Sequence, residues 1–137
     1  MLDALKISAS GLTAESLRLA VIADNLANMN TTVAPGGVPY QRRFVTLSPV
    51  PAAAAGPDRG VGQGVVVAGI LPDPSPPKLV YDPTSPQANA QGYVLYPNVH
   101  LAVEMVDMIE ASRAYQANAT AFGAAKSMDV KALTLGV

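Results

Sequence analysis

The stretch Leu5–Asn30, LKISASGLTAESLRLAVIADNLANMN, decides the fold of this chain. Leucines recur in it at every seventh position, and mostly small residues form the row beside them. The leucine row is Leu5, Leu12, Leu19 and Leu26, and the second row is Leu2, Ala9, Ser16 and Ala23. A helix with such a stripe needs a partner helix, because it cannot bury its own seam. The sequence therefore predicts a first helix over residues 2–29 that packs against another part of the chain.

A second long helix is predicted at the other end of the chain, from Asn98 to about residue 133. Asn98 follows Pro97 and is a candidate N-cap. The predicted core row again follows heptad spacing: Leu101, Met105, Met108, Ser112, Tyr115, Ala119 and Phe122. The predicted polar face carries Glu104, Asp107, Glu110, Arg113 and Lys131. We expect the two helices to pair antiparallel as a coiled coil.

Short apolar runs separated by proline and glycine predict a small β region between the helices. The predicted strands are Tyr40–Leu47, Val65–Leu71, Lys78–Tyr81 and Tyr93–Tyr96, with loops at residues 33–39, 49–64 and 72–77. Strands so few and short favour a hairpin or a three-stranded ribbon. The predicted fold is mainly α, with two paired terminal helices and a β-hairpin and loop region between them. The predicted units are a coiled-coil assembly domain of residues 1–32 and 98–137, and a central region of residues 33–97.

Two local features each have two interpretations. Gly11 interrupts good helix formers, which indicates either a close approach by another backbone or a tolerated glycine that costs about 1 kcal/mol relative to alanine. The pair Arg42 and Arg43 indicates either a contact with an acidic neighbouring subunit or a solvated strand edge, and we favour the solvated edge.

Composition favours association and excludes several functions. The 137 residues carry a net charge of −1, only 14% are charged, and 50% are hydrophobic. A sparse charge near zero does little to keep copies apart. Nucleic acid is not an expected partner, because no basic cluster exceeds the Arg42–Arg43 pair. We also expect no cleavable secretory signal and no segment that spans a bilayer.

Catalytic and ligand sites find little support in the sequence. His100 is the only histidine, and there is no cysteine. Glu104, Asp107 and Glu110 could line one helix face and bind a metal, but a solvated face is the simpler interpretation. The glycines of residues 56–64 do not match a phosphate loop, since valines follow where lysine and serine or threonine are required. We predict no enzyme activity, no cofactor, no metal and no small-molecule substrate.

Several motifs resemble the flagellar axial protein family of bacteria. SASGL at residues 8–12 and ADNLANMNTT at residues 23–32 resemble the shared N-terminal motif, to which Asn25, Asn28, Asn30 and Thr31 correspond. GYVLYP at residues 92–97, EMVDMIEASRAYQANATAF at residues 104–122 and AAKSMDVKAL at residues 124–133 are similar to the basal-body rod members, as is the segment of residues 73–94. Asp24 and His100 depart from the family pattern, in which asparagine is usual.

This resemblance implies a structural subunit of the proximal rod, a tube that crosses the periplasm, transmits torque and encloses the export channel. The implied partners are other rod proteins and copies of the chain, and the implied export route is the flagellar type III apparatus. The same nine seam residues are then assembly residues: Leu5, Leu12, Leu19, Leu26, Leu101, Met105, Met108, Tyr115 and Phe122. The motif asparagines are best explained by capping and by amide hydrogen bonds between subunits.

The alternative is an amphipathic helical adaptor or a membrane-surface protein. A helix that binds membrane surfaces usually has a basic polar face. The charges of the first helix are instead mixed: Asp3, Lys6, Glu15, Arg18 and Asp24. We therefore favour the rod subunit and expect no direct membrane insertion.

Overall fold

Two helices enclose four short strands in the chain order. The structure, a computed structural model, describes residues 2–33, 37–50 and 62–135. Its elements are α1 (Leu2–Ala27), β1 (Arg43–Pro49), β2 (Val65–Pro72), β3 (Lys78–Tyr81), β4 (Tyr93–Tyr96) and α2 (Leu101–Leu135). Much of the predicted loop of residues 49–64 lies outside the described residues. No helix in the described ranges is both long enough and apolar enough to cross a membrane.

The helices α1 and α2 lie antiparallel against each other. Near the end of α1, the Asn25 amide donates to Glu104 in the first turn of α2, whereas Gly11 faces Asn118 farther along α2. The predicted pairing of the two terminal helices is therefore confirmed, and its coiled-coil geometry stays a prediction.

The start of α2 differs from the prediction. The helix begins at Leu101, and its first-turn hydrogen bond runs from the Glu104 N–H to the His100 carbonyl. The predicted N-cap was Asn98, but its side-chain amide bonds to three other backbone groups instead. The N-cap position therefore falls on His100, two residues later.

The buried residues of the two helices are mostly small or polar, and Val21 and Ile22 are the large apolar exceptions. Those buried on α1 are Ser8, Gly11, Ala14, Val21, Ile22 and Asn25, and those buried on α2 are Glu104, Ala111 and Ala125. Small side chains let the two helix axes approach closely. The close approach foreseen at Gly11 occurs, but with a side chain, because a Cβ there would lie 2.9 Å from the Asn118 amide.

The predicted core row of α2 is not the most buried row of that helix. Leu101, Met105 and Tyr115 are 46%, 52% and 40% exposed, whereas Met108 and Phe122 are half-buried. The leucine row of α1 is also half-buried throughout. The small residues occupy the closest line between the helices, so the large apolar side chains flank it.

The β region forms two separate sheets and not one three-stranded ribbon. β1 pairs with β2 antiparallel from Arg43↔Pro72 to Pro49↔Val65, with an irregularity between Thr46 and Leu47. β3 pairs with β4 from Lys78↔Tyr96 to Tyr81↔Tyr93. The proline-rich segment after Pro72 separates the sheets, because proline cannot donate to a ladder. β3 and β4 have their predicted bounds, whereas β1 runs from residue 43 to 49 instead of 40 to 47.

Two helical glycines give a matched test of this packing. Gly123→Ala meets no atom within 4 Å, so we expect it to raise the free energy of unfolding by about 1 kcal/mol through helix propensity. Gly11→Ala should gain much less, because the new Cβ displaces the Asn118 amide from its 3.0 Å bond to the Ala114 carbonyl. Urea unfolding of both variants measures the difference. Equal stabilisation by the two would contradict the close approach at Gly11.

Candidate functional site

The principal buried polar feature lies where α1, β1 and the start of α2 meet. We call it the polar clamp and define it by Asn25, Arg42, Asn98 and Glu104. Its members come from the end of α1, the residue before β1, the turn before α2 and the first turn of α2. Glu104 is 0% exposed, and Asn25 is 1% exposed. Buried groups of this kind must be paired, because an unpaired charge away from water is very costly.

Arg42 supplies the positive charge of the clamp. Its Nε donates to Glu104 Oε1 at 2.5 Å, and its Nη2 donates to Asp107 Oδ2 at 3.0 Å. Its Nη1 lies 3.4 Å from Asp73 Oδ2, so one guanidinium contacts three carboxylates. Burial acts to lower the pKa of Arg42, but the hydrogen bond and charge of Glu104, with Asp73 and Asp107, outweigh it and raise the pKa above its usual value.

Asn25 ties the end of α1 to both neighbours. Its Nδ2 donates to the Arg43 carbonyl at 2.7 Å, and its Oδ1 accepts the Arg43 N–H at 2.9 Å. The Asn25 amide thus satisfies the edge of β1 as a further strand would. The same Nδ2 donates to Glu104 Oε2 at 3.1 Å, and the Oδ1 also accepts from Tyr40 Oη at 2.9 Å. Burial raises the pKa of Tyr40, so its hydroxyl stays a donor at neutral pH.

Asn98 holds the chain on the other side of Arg42. Its Oδ1 accepts the Arg42 N–H at 2.7 Å, and its Nδ2 donates to the carbonyls of Asp73 and Ser75 at 3.2 and 3.0 Å. Two buried asparagines therefore fix consecutive residues at the start of β1. The guanidinium of Arg42 is aimed at α2 as a result.

These contacts overturn two interpretations based on the sequence. Arg42 was expected at a solvated strand edge, but it is the centre of an ion cluster within the chain. Arg43 does lie at an exposed edge, where it pairs with Asp24 and stacks over the Tyr40 ring at 5.7 Å. The face of Glu104, Asp107 and Glu110 was expected to be solvated, but only Glu110 is largely exposed, at 64% of its side chain.

The other motif residues act locally at the exit of α1. Asn28 donates to the Asp24 carbonyl at 2.9 Å and accepts from Thr31 Oγ1 at 3.2 Å, which fits the expected capping role. The Thr31 carbonyl accepts the Tyr40 N–H at 3.0 Å, and this bond closes the turn that leads toward β1. Asn30 is exposed.

A second polar contact attaches the other end of the β1–β2 hairpin to α1. Ser10 Oγ donates to the Ile7 carbonyl at 2.7 Å and accepts the Val65 N–H at 3.1 Å. Gly64 stands next to it with φ of +101°, and a Cβ there would overlap Ser10 Oγ. Glycine is required here for both the conformation and the space.

Groups suited to catalysis or metal binding do not converge in the described part of the chain. No group of three His, Asp or Glu residues among those residues could hold a metal. His100 is exposed, immediately before α2. The largest assembly of charge is the polar clamp, and its groups bind one another. The arrangement therefore stabilises a particular geometry of the chain.

The seam residues that flank the helix pair form an open apolar surface. A groove of about 550 Å³ is lined by Leu12, Thr13, Ser16, Leu17, Ala20 and Tyr115. Leu12 of the leucine row and Tyr115 of α2 thus line the same groove. We call this surface, with Leu5, Leu12, Leu19 and Leu26 of α1 and Met105 and Tyr115 of α2, the flank face.

Comparisons with known proteins place the chain in a class. The model described as "Flagella basal body rod protein" matches residues 5–33, and the model described as "Flagellar basal body rod FlgEFG protein C-terminal" matches residues 90–135. Both terminal segments thus identify the chain as a flagellar basal-body rod protein. These two matched ranges contain Asn25, Asn98 and Glu104, three of the four members of the polar clamp.

Curated relatives narrow the class to one family. The chain is 43% identical to the flagellar basal-body rod protein FlgC of Borreliella burgdorferi, over 98% of this chain and 97% of the relative. Its identity to FlgC of Bacillus subtilis is 45%, over 96% and 95%, and to FlgC of Escherichia coli O157:H7 is 44%, over 99% and 98%. The chain belongs to the FlgC family. The structural role in the basal-body rod that the resemblance implied is confirmed, and the adaptor or membrane-surface alternative is not favoured.

The polar clamp predicts a large difference between two glutamates on one helix. Glu104→Ala should lower the free energy of unfolding by about 3–5 kcal/mol, because it leaves Arg42, whose side chain is only 19% exposed, without its principal partner. Glu110→Ala is the control, since its exposed pair with Arg18 is worth less than about 1 kcal/mol. Chemical unfolding measures both. A loss below about 1 kcal/mol for Glu104→Ala would contradict the clamp.

Asp73, which contacts Arg42 of the clamp, predicts a pH dependence of stability. Hydrogen bonds from Ser75, followed by Arg42, hold the pKa of Asp73 below its usual value. Its contribution is therefore complete above the unfolded pKa, near 4, and is lost as the pH falls through the lower folded pKa. We expect Asp73→Asn to be less stable than wild type at pH 7 and the two curves to converge in acid. A stability gap that stays constant down to about pH 2 would argue against this assignment.

Proposed function

We propose that this chain polymerises with other rod proteins and with copies of itself into the proximal rod. In this proposal the rod is the tubular drive shaft that transmits torque and encloses the export channel. The chain reaches it through the flagellar type III apparatus without a cleaved signal peptide. Its role is structural, and no catalytic step belongs to it.

The flank face is the observation that carries this proposal. Many large apolar side chains of α2 remain exposed in the single chain, and the leucine row of α1 is only half-buried. Leu101, Met105 and Ile109 follow one another at four-residue spacing on α2 and are 46%, 52% and 52% exposed. A stripe of this kind is suited to a further helix, which would complete the packing that one partner leaves unfinished.

The strands contribute a further apolar surface. On the β3–β4 sheet, Leu79 pairs with Leu95 and Tyr81 pairs with Tyr93, and all four residues are at least 40% exposed. Val94 on the opposite face is only 3% exposed. Apolar residues on both faces of a ribbon are typical of strands that are covered on both sides.

We also propose the division of the chain into two units with respect to the rod. Residues 1–32 and 98–137 would form the inner assembly domain, and residues 33–97 the central region attached to it. The antiparallel pairing of α1 and α2, which brings the two terminal segments into contact, supports this division.

Substitutions in the flank face and at its border test the proposal. Leu12→Asp and Met108→Asp should each abolish rod assembly and motility, because a carboxylate would be buried between subunits. Ala124→Asp places the same charge at an exposed position of α2 and is the matched control. Swimming, and the amount of chain in isolated basal bodies, are the measurements.

Circular dichroism of each purified variant separates failed assembly from failed folding of the subunit. Motile cells that carry Leu12→Asp or Met108→Asp at normal subunit levels would overturn the assembly role of the flank face. Loss of motility with Ala124→Asp would show that any added charge is harmful, and would remove the support for this particular surface.

A further inference from the structure

We propose that the β1–β2 hairpin is a strut that is fixed to α1 at two points and carries torsional load together with it. This inference rests on the proposed function, because only a subunit of a drive shaft bears such a load. It assigns a mechanical role to Asn25 and Ser10, two residues of the terminal motifs.

The first fixed point is the Asn25 amide. It bonds to both the N–H and the carbonyl of Arg43, which is the first residue of β1. Paired donor and acceptor bonds define an orientation as well as a distance. The same amide also donates to Glu104 and accepts from Tyr40, so the Asn25 side chain cannot rotate without breaking these hydrogen bonds.

The second fixed point is Ser10 Oγ. It accepts the N–H of Val65, which is the first residue of β2 and the partner of Pro49 at the end of β1. Its own hydrogen is directed to the Ile7 carbonyl, so the lone pairs face the strand. The missing side chain of Gly64 lets the hairpin lie this close to the helix.

The spacing of the two points matches the length of the hairpin. Residues 10 and 25 of α1 are separated by about 22 Å along the helix axis, at 1.5 Å per residue. Residues 43 to 49 of β1 span about 20 Å, at 3.4 Å per residue. The hairpin therefore lies along α1 with an attachment at each end.

Attachment at two points fixes the orientation of the β1–β2 hairpin on α1, which attachment at one point would not. A single contact permits the hairpin to swivel about it, whereas two contacts about 20 Å apart fix its direction relative to the helix. The β1–β2 ladder supplies the stiffness between the points. Torque that enters through the helices is thus passed to the β region without a hinge.

Spin-label distances in the full-length chain measure the rigidity of this attachment. The chain has no cysteine, so Ala4→Cys on α1 and Ala68→Cys on β2, both exposed, provide unique label positions. We expect one narrow distance in the labelled parent and a broader distribution in Ser10→Ala or Asn25→Ala. The double variant should lose the original distance as the major population.

Two further variants make the measurement specific. Thr120→Ala is the control, because the Thr120 hydroxyl bonds to the Gln116 carbonyl of its own helix at an exposed position, and the variant should leave the distance unchanged. In Gly64→Ala the new Cβ overlaps Ser10 Oγ and should break the attachment at Ser10, while Asn25 is unchanged. This variant is therefore measured in place of Ser10→Ala or Asn25→Ala if either fails to fold. A distance that stays narrow in the double variant and in Gly64→Ala would overturn the strut.

Swimming in media of rising viscosity tests the mechanical role in the rod. Cells with the double variant should swim in dilute medium and lose motility at a viscosity that the parent and Thr120→Ala tolerate. Swimming equal to the parent at every viscosity, with the variant present in isolated basal bodies, would overturn the inference and leave the proposed function standing. Absence of the parent chain from isolated basal bodies would instead contradict the proposed function.

Discussion

The contact between Arg42 and Glu104 is the constraint on which the rest of the arrangement depends. A carboxylate that is 0% exposed has to have its partners in place whenever the helices are packed. Those partners come from the end of α1 and from the residue before β1. Packing of α2 on α1 is therefore compatible with only one position of Arg42 and of the chain that leads into β1. Buried ion pairs contribute little net stability, so the clamp acts by excluding other arrangements.

This specificity matters because the contact between the helices is otherwise permissive. Glycine and alanine form much of its closest line, and side chains so small interlock weakly. Two helices lined in this way could slide along each other at little cost. The 3.1 Å bond from Asn25 to Glu104 at one end and the fit of Asn118 against Gly11 farther along set the register. Polar residues at a few positions of a seam commonly determine register in paired helices.

Much of the fold could be predicted from the sequence, because its signals are local. Heptad periodicity located both helices to within three residues, and flanking prolines and glycine bounded β3 and β4 correctly. The predicted core row of α2 differs from its buried row. The prediction follows the most apolar residues, Leu101, Met105 and Tyr115, whereas the buried residues are Glu104, Ala111 and Ala125. Apolar side chains indicate burial somewhere, but they do not say whether the partner belongs to the same chain. The role of the flank face stays a prediction for that reason.

The polar clamp could not be predicted from the sequence, because its members lie far apart in the chain. Arg42 and Glu104 are separated by 62 residues, and Asn25 and Glu104 by 79. Taken singly, Arg42 is typical of a strand edge and Glu104 of a solvated helix face. The one available signal was heptad spacing of Glu104 with the small residues Ala111 and Ala125. That spacing places a carboxylate in line with the closest helix contact, where only a buried pairing is allowed.

The inward position of the small residues has a consequence for when the subunit is most stable. Many large apolar side chains of α2, such as Leu101, Met105 and Ile109, stay exposed in the single chain, so the free energy available from their burial is not realised within it. Any partner that binds the folded chain and not the unfolded one adds stability by mass action. In the proposed rod, the stability of a subunit therefore depends on how many neighbours it contacts and on the concentration of free subunits. The chain would be most easily unfolded when alone and hardest to unfold within a completed rod.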